Sequence, residues 1–285
     1  MANVEIAAYG DWKSPVTVES VTSKTKVLSS PRVCRTTGRA YYTETQDTGN
    51  NCIAEITADG VKPLLPAEHS ASNTVYEYGG SAYDVLRDGR IIFSHKDNTL
   101  HILDPDTGNV SKLVEERPTL RYSNFNANRN SPWVLAVQED HEHDTPDQVK
   151  NYIVAINYTT SEVKTVVSGA DFYYTPQFSP DGTRLVWLEW DHPHLPFHSA
   201  KPFWADFDGE TGSVTNIRLV AGDGEGQGGA SEPHWGPDGS LFFGLEVGGH
   251  YRLFKVLPGE TEPKQIKLDG LDDADFGQIS WMQGR

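Results

Sequence analysis

Short apolar runs separated by turn residues set the rhythm of this chain. Residues 176–190 read PQFSPDGTRLVWLEW and residues 233–247 read PHWGPDGSLFFGLEV, so Pro, an aromatic, Pro-Asp-Gly and an apolar run occur twice in that order. Pro presets φ for the first turn position, Asp bonds back to nearby backbone, and Gly accepts the positive φ that other residues resist. Each copy therefore predicts a hairpin. The runs that follow, Leu185 to Leu188 and Leu241 to Phe243, are apolar, short and bounded by breakers, which predicts buried strands.

Weaker copies lie at 29–45, 76–97, 121–140 and 274–285. Their starts near Ser30, Tyr78, Arg121, Pro176, Pro233 and Phe276 are 43 to 57 residues apart. A four-stranded propeller blade repeats at roughly 40 to 50 residues. Third and fourth strands are legible at 99–115 and 151–167, with DPDTGN (104–109) as a hairpin turn; it lacks the distal Glu of a calcium loop. The expected fold is all-β: a β-propeller of five full four-stranded blades plus a partial sixth, forming one domain over 1–285. Residues 14–23 alternate apolar and polar and are expected to pair as a strand with DFGQISWM, closing the ring and covering its edges. The glycine-rich 221–233 is expected as a loop, and 190–204, rich in Pro, His and aromatics, as a lid.

Composition narrows the function. A net charge of -16 opposes approach to nucleic acid or an anionic membrane. Two cysteines, Cys34 and Cys52, are too few for a disulfide framework and are expected as buried thiols. The first residues lack a signal-peptide pattern and no long apolar stretch occurs, so a cytoplasmic location is expected.

Several segments in order, YGDWKSPVT, VYEYGGSAYDV, RYSNF, QEDHEH, GADFYYTPQFSPDGTRLVWLEWDHPHLPF, EPHWGPDGSLFF and DADFGQISW, resemble the N-terminal β-propeller of prolyl oligopeptidase-family serine peptidases, in the acylaminoacyl-peptidase and dipeptidyl-peptidase-like branch. The resemblance implies a domain that filters substrate for an α/β-hydrolase domain carrying Ser, Asp and His. The residues here offer no such site. Gly79-Gly80-Ser81-Ala82-Tyr83 ends in Tyr where a nucleophile elbow needs Gly, and no strand-to-helix alternation follows it.

A propeller gathers the first strands of its blades around an axis, so residues at repeated positions converge there. On that basis Glu232, His234, Glu77, Glu189 and His192 are candidate acid/base groups. Tyr78, Arg121, Tyr122, Tyr173, Tyr174, Trp190 and Glu246 are candidate substrate contacts. Carboxylates and imidazoles in a partly dry aromatic pocket have pKa values that move towards neutrality, as general acid/base chemistry needs. Plainer readings stand beside these: Glu77 and Arg121 as an ion pair, His234 as a satisfied core residue, and 138–148 as a solvated acidic loop. The short motifs at 141–144 and 191–194 offer metal ligands without a recognised spacing, so no metal and no cofactor is expected. Two function classes follow. One is a stand-alone enzyme that binds a small organic substrate and performs a non-hydrolytic cyclisation or isomerisation. The other is a peptide- or protein-binding propeller, or the gating part of a peptidase.

Overall fold

The computed structural model describes residues 6–22, 26–114, 117–224, 227–271 and 274–280. Five antiparallel four-stranded sheets follow one another along the chain. Blade one holds β1 (Leu28–Val33), β2 (Ala40–Thr45), β3 (Asn51–Thr57) and β4 (Gly60–Pro63); blade two holds β5 (Tyr83–Val85), β6 (Ile91–Ser94), β7 (Leu100–Leu103) and β8 (Val110–Lys112). Blade three holds β9 (Leu120–Ala127), β10 (Trp133–Asp140), β11 (Lys150–Asn157) and β12 (Glu162–Val167). Blade four holds β13 (Phe172–Phe178), β14 (Arg184–Trp190), β15 (Lys201–Asp208) and β16 (Ser213–Leu219), and blade five holds β17 (Gln227–Trp235), β18 (Leu241–Val247), β19 (His250–Val256) and β20 (Lys264–Gln265). Within every blade the strands pair in sequence order, the β-propeller pattern.

The predicted hairpins form for the reasons read from their turns. Ser179 N–H donates to the Arg184 carbonyl at 2.8 Å and Asp181 Oδ1 accepts from Thr183 N–H, with Gly182 at φ 73°. Gly236 to Ser240 repeats this, with Gly239 at φ 82°.

Four apolar clusters fill the four spaces between successive sheets. Ile91 and Phe93 pack against blade one, whereas Ile92 between them packs against blade three. Likewise Leu185 and Trp187 face blade three while Val186 and Leu188 face blade five. Middle strands buried on both faces explain the continuous apolar runs, which carry no period of two. Cys34 and Cys52 are buried free thiols in the space between blades one and two.

Three expectations are corrected. Residues 14–22 do not form a strand: Val18–Thr22 is a short helix, α1, without a buried residue, its first turn tightened by reciprocal Thr17 and Ser20 bonds. The glycine-rich stretch is strand from Gln227 onwards, because it must pass close to a neighbour: a Cβ at Gly229 would lie 2.5 Å from the Pro196 carbonyl oxygen. The segment expected as a lid crosses instead to blade five as turn and short helix α2 (Pro196–Ser199), where Ala230 N–H donates to the Ala200 carbonyl at 2.7 Å. Residues 274–280 run beside blade five without forming a strand, and Phe276 N–H donates to the Tyr251 carbonyl at 3.0 Å. The last motif's residues 281–285 lie outside the described residues.

Two turns share the wording Asp-x-x-Thr-Gly, closed by a bond from Gly108 N–H to Asp104 or from Gly212 N–H to Asp208, both at 2.8 Å. Both glycines have positive φ, 74° and 70°, but a Cβ at Gly212 would lie 2.5 Å from the Trp133 ring, whereas Gly108 has nothing within 4 Å. Gly108→Ala is expected to cost about 1–2 kcal/mol from backbone strain alone. Gly212→Ala should cost roughly 3 kcal/mol or more, because the clash with a buried ring adds to it. Urea unfolding midpoints compare the two; equal losses would contradict the packing of Trp133 beneath that turn.

Candidate functional site

The innermost strand of the blade carries a repeated kink. Ser30, Asn124, Thr175 and Glu232 all have positive φ, between 48° and 54°, and the pairing register slips beside each of them. Gln278 repeats the conformation at φ 56°. Such bulges bend a strand and re-aim the side chains that follow. Two residues beyond the kink come Arg32, Asn126, Gln177, His234 and Ser280, and counting back from the Leu86 turn puts Asp84 at the same place in blade two. These six side chains belong to the walls of two adjoining central cavities of about 570 and 260 Å³, which share Asn126, Gln177 and His234.

Four of these residues link their blade to the next, and in blade five Glu232 at the kink takes that part. Arg32 donates to Ser81 Oγ at 2.8 Å and lies 3.4 Å from Asp84. Asp84 accepts from Ala127 N–H and Asn126 from Phe178 N–H, each at 2.8 Å. Gln177 donates to the Pro233 carbonyl at 2.9 Å, and Glu232 accepts from Ile279 N–H at 2.7 Å.

The larger cavity is cationic. Arg32, Arg35, Arg87 and Arg129 line it, and Asp84 is the acidic side chain among its lining residues. Burial pushes the Asp84 carboxyl up, and Arg32 with the Ala127 N–H opposes the rise. Arg129 reaches solvent at the rim, yet burial of its guanidinium and then the neighbouring Arg35 lower its pKa. Burial also lowers the His234 imidazole, against a smaller opposing effect of Glu232. His234 is thus neutral at pH 7 and able to donate or accept one hydrogen bond. The arrangement can hold an anionic group on paired guanidinium forks.

Of the residues expected at a site, His234 lines both cavities. A different group gathers at the far end of the hairpins, about 20 Å away along a seven-residue strand. Glu77 and Tyr78 are not in a first strand. Glu77 ends a 3₁₀ turn (Val75–Glu77) ahead of β5 and Tyr78 follows it, because Gly79 and Gly80 break the strand there. Glu77 is exposed and pairs with Arg121 at 2.7 Å, the plainer of the two readings. Tyr122 and Tyr173 are buried between sheets rather than presented to a ligand, and burial raises both phenols, Tyr173 to about 12. Glu189 accepts from Trp187 Nε1 at 2.7 Å, and burial raises its carboxyl. Trp190 stacks on Phe172 at 5.3 Å, whose ring meets His192 edge-on at 4.9 Å, and Tyr174 is half exposed beside Tyr76. Glu246 accepts from Gly249 N–H and so caps its own hairpin. The acidic loop is solvated only in part, since Glu139 is buried and contacts His141 at 3.1 Å, while His141 also meets Asp144 at 2.7 Å. Ser81 is engaged by Arg32 and precedes a strand, which is no setting for a nucleophile. Arg32, Asp84, Asn126 and Gln177 were missed because they differ in type; only their place two residues before the hairpin turn is shared.

No protein-family model and no curated protein matches the chain. Solved structures do, and the resemblance to a propeller of prolyl oligopeptidase-family peptidases holds. A puromycin-hydrolysing peptidase from Mycobacterium tuberculosis is 26% identical with a TM-score of 0.78, over 92% of this chain and 42% of that one. A puromycin hydrolase is 24% identical with a TM-score of 0.77 over the same shares. This chain spans less than half the length of those peptidases. An oligogalacturonate lyase in complex with manganese, 13% identical with a TM-score of 0.62 over 85% of this chain and 73% of that one, shares the fold. No helix among the described residues is long and apolar enough to cross a membrane.

The channel imidazole makes stability depend on pH. The folded-state pKa of His234 lies below its unfolded value of about 6.5, so its contribution is intact above that pH and is lost as pH falls towards the folded pKa. Between pH 7 and 5 the wild type should lose more unfolding free energy than His234→Gln. Parallel losses in urea titrations at the two pH values would place His234 in water instead.

Proposed function

We propose that this chain, similar to part of a puromycin-hydrolysing peptidase, works as the substrate-admitting propeller of a peptidase of that kind, passing peptides whose negatively charged group is held in the arginine-lined channel. The carrying observation is the sign reversal: four arginines and one aspartate line the central cavity of a chain whose net charge is -16. A cleft of one sign with low-dielectric walls focuses the field and raises the local concentration of the opposite charge. A peptide's terminal carboxylate is the anionic group common to all such substrates, and guanidinium forks match its two oxygens.

In this reading residues 274–280 belong to a partial sixth blade. Their kink at Gln278 and the bond from Ile279 N–H to Glu232 repeat what joins the other blades.

A second reading is a stand-alone cyclase or isomerase acting on a small organic molecule through Glu232 and His234. The neutral His234 imidazole on the channel wall favours it. Against it, Glu232 already accepts from Ile279, Glu77 is paired with Arg121, and Glu189 and His192 belong to the far end of the blade-four hairpin.

The test compares Ala-Ala-Phe as free acid and as C-terminal amide by calorimetry. The acid is expected to bind about tenfold more tightly, a difference of about 1.4 kcal/mol. That margin should narrow with added salt and vanish in Arg35→Gln/Arg129→Gln. Equal binding of acid and amide would overturn the reading. Turnover of a small molecule that is lost in His234→Gln, with no peptide binding, would establish the second.

A further inference from the structure

We propose that His95 and His101, packed against His69, bind a divalent first-row metal ion, with Asp97 and Thr99 as the partners that orient the two imidazoles. The three residues come from different pieces of chain. His69 lies in the passage from blade one to blade two, His95 follows β6 and bridges Ala71, and His101 lies within β7. They sit at the opposite end of β6 from the Leu86–Arg90 turn, away from the arginine-lined channel.

The rings pack on one another with centroids 5.3 Å (His69 to His95), 5.5 Å (His69 to His101) and 5.3 Å (His95 to His101) apart. A Zn–N bond of about 2.0–2.1 Å, plus roughly 1.1 Å from nitrogen to ring centre, puts each centroid about 3.2 Å from the ion. Tetrahedral angles then separate the centroids by about 5.2 Å, close to the spacing found. One ligand atom each from His95, Asp97 and His101 lies within 4.8 Å of the others, a set to which His69 does not belong.

The hydrogen bonds assign the protons. Thr99 Oγ donates to Asp97 Oδ1 at 2.5 Å, so it accepts from His101 Nε2–H at 2.7 Å. His101 Nδ1 is left with its lone pair. Asp97 Oδ1 also lies 2.8 Å from His95 Nδ1, which places the proton on that nitrogen and leaves a lone pair on Nε2. These two nitrogens and His69 Nδ1 are buried without a hydrogen-bond partner. His95 and His101 are each only 8% exposed. Unpaired buried acceptors are costly, and a cation shared between them removes the cost. The carboxylate and hydroxyl on the outer ring nitrogens are the supports that metal-ligating histidines use to fix ring orientation.

Burial, then the neighbouring imidazoles, hold His101 down at about 4, and burial followed by His95 lowers His69. Asp97 is held below the ordinary carboxylate range although burial opposes this, because Thr99 and His95 bond to it. Imidazole nitrogens are borderline-soft donors suited to Zn²⁺, with Co²⁺ as a visible substitute. The ion would clasp the passage out of blade one to the middle strands of blade two.

The experiment uses the untagged full chain, stripped with a chelator and titrated with Zn²⁺ by calorimetry and with Co²⁺ by visible absorption. One ion per chain at micromolar Kd or tighter, a raised Tm and the d–d absorption of low-coordinate Co²⁺ are expected. His95→Gln and His101→Gln should each abolish the Co²⁺ spectrum and weaken Zn²⁺ at least 100-fold. Asp97→Asn should keep the stoichiometry and weaken binding about 10- to 100-fold. His143→Gln, on an exposed loop, should change nothing. Circular dichroism checks that each variant folds, and if a histidine variant does not, Asp97→Asn decides. Absence of stoichiometric binding by the wild type, or binding unaltered in the folded variants, would overturn the proposal.

Discussion

Neighbouring sheets share no backbone ladder, so something other than strand pairing must set their spacing around the axis. Apolar packing fills the wedges between them but is non-directional. The direction comes from side chains at one place in the innermost strands of blades one to four, two residues before the hairpin turn, that bond to the next blade: Arg32 to Ser81, Asp84 to Ala127, Asn126 to Phe178 and Gln177 to Pro233. An unsatisfied buried partner costs on the order of 1–3 kcal/mol, so each link is difficult to leave open. The channel follows from this constraint, since the residues that join the blades also line it.

The division between what holds and what binds is therefore thin. Arg32 and Asp84 are occupied with each other and with the scaffold, whereas Arg35 and Arg129 stand exposed on the same wall. Two nearby guanidinium groups without a matched acid store electrostatic cost that an arriving anion relieves. A folded chain tolerates that cost because the remaining carboxylates, dispersed over the surface, dominate the net charge.

The hairpins and the fivefold rhythm were legible in the sequence because their cause is local. Pro-Asp-Gly turns form from their own residues, and Asp181 and Asp238 do what their position requires. The channel was not legible, because its members are alike in place and unlike in chemistry: an arginine, an aspartate, an asparagine, a glutamine, a histidine and a serine. Glu77 and Tyr78 misled because two glycines after them displace the start of blade two. Tyr122 and Tyr173 misled because alternation decides their face, and strands buried on both sides hide that alternation. The three packed histidines are spread over 33 positions, 69 to 101, and only the fold brings them together.

The innermost strands also tie the series of blades in both senses. Gln177 of blade four donates forward to Pro233 of blade five, whereas Tyr83 and Trp235 donate back to the Ser30 and Gln177 carbonyls of the blades before them. A linear repeat protein can lose a terminal unit and keep the rest, because each unit answers only to its neighbours. Here, loosening one blade withdraws bonds from the main chain of the blades on both sides of it, so the series yields together rather than unit by unit.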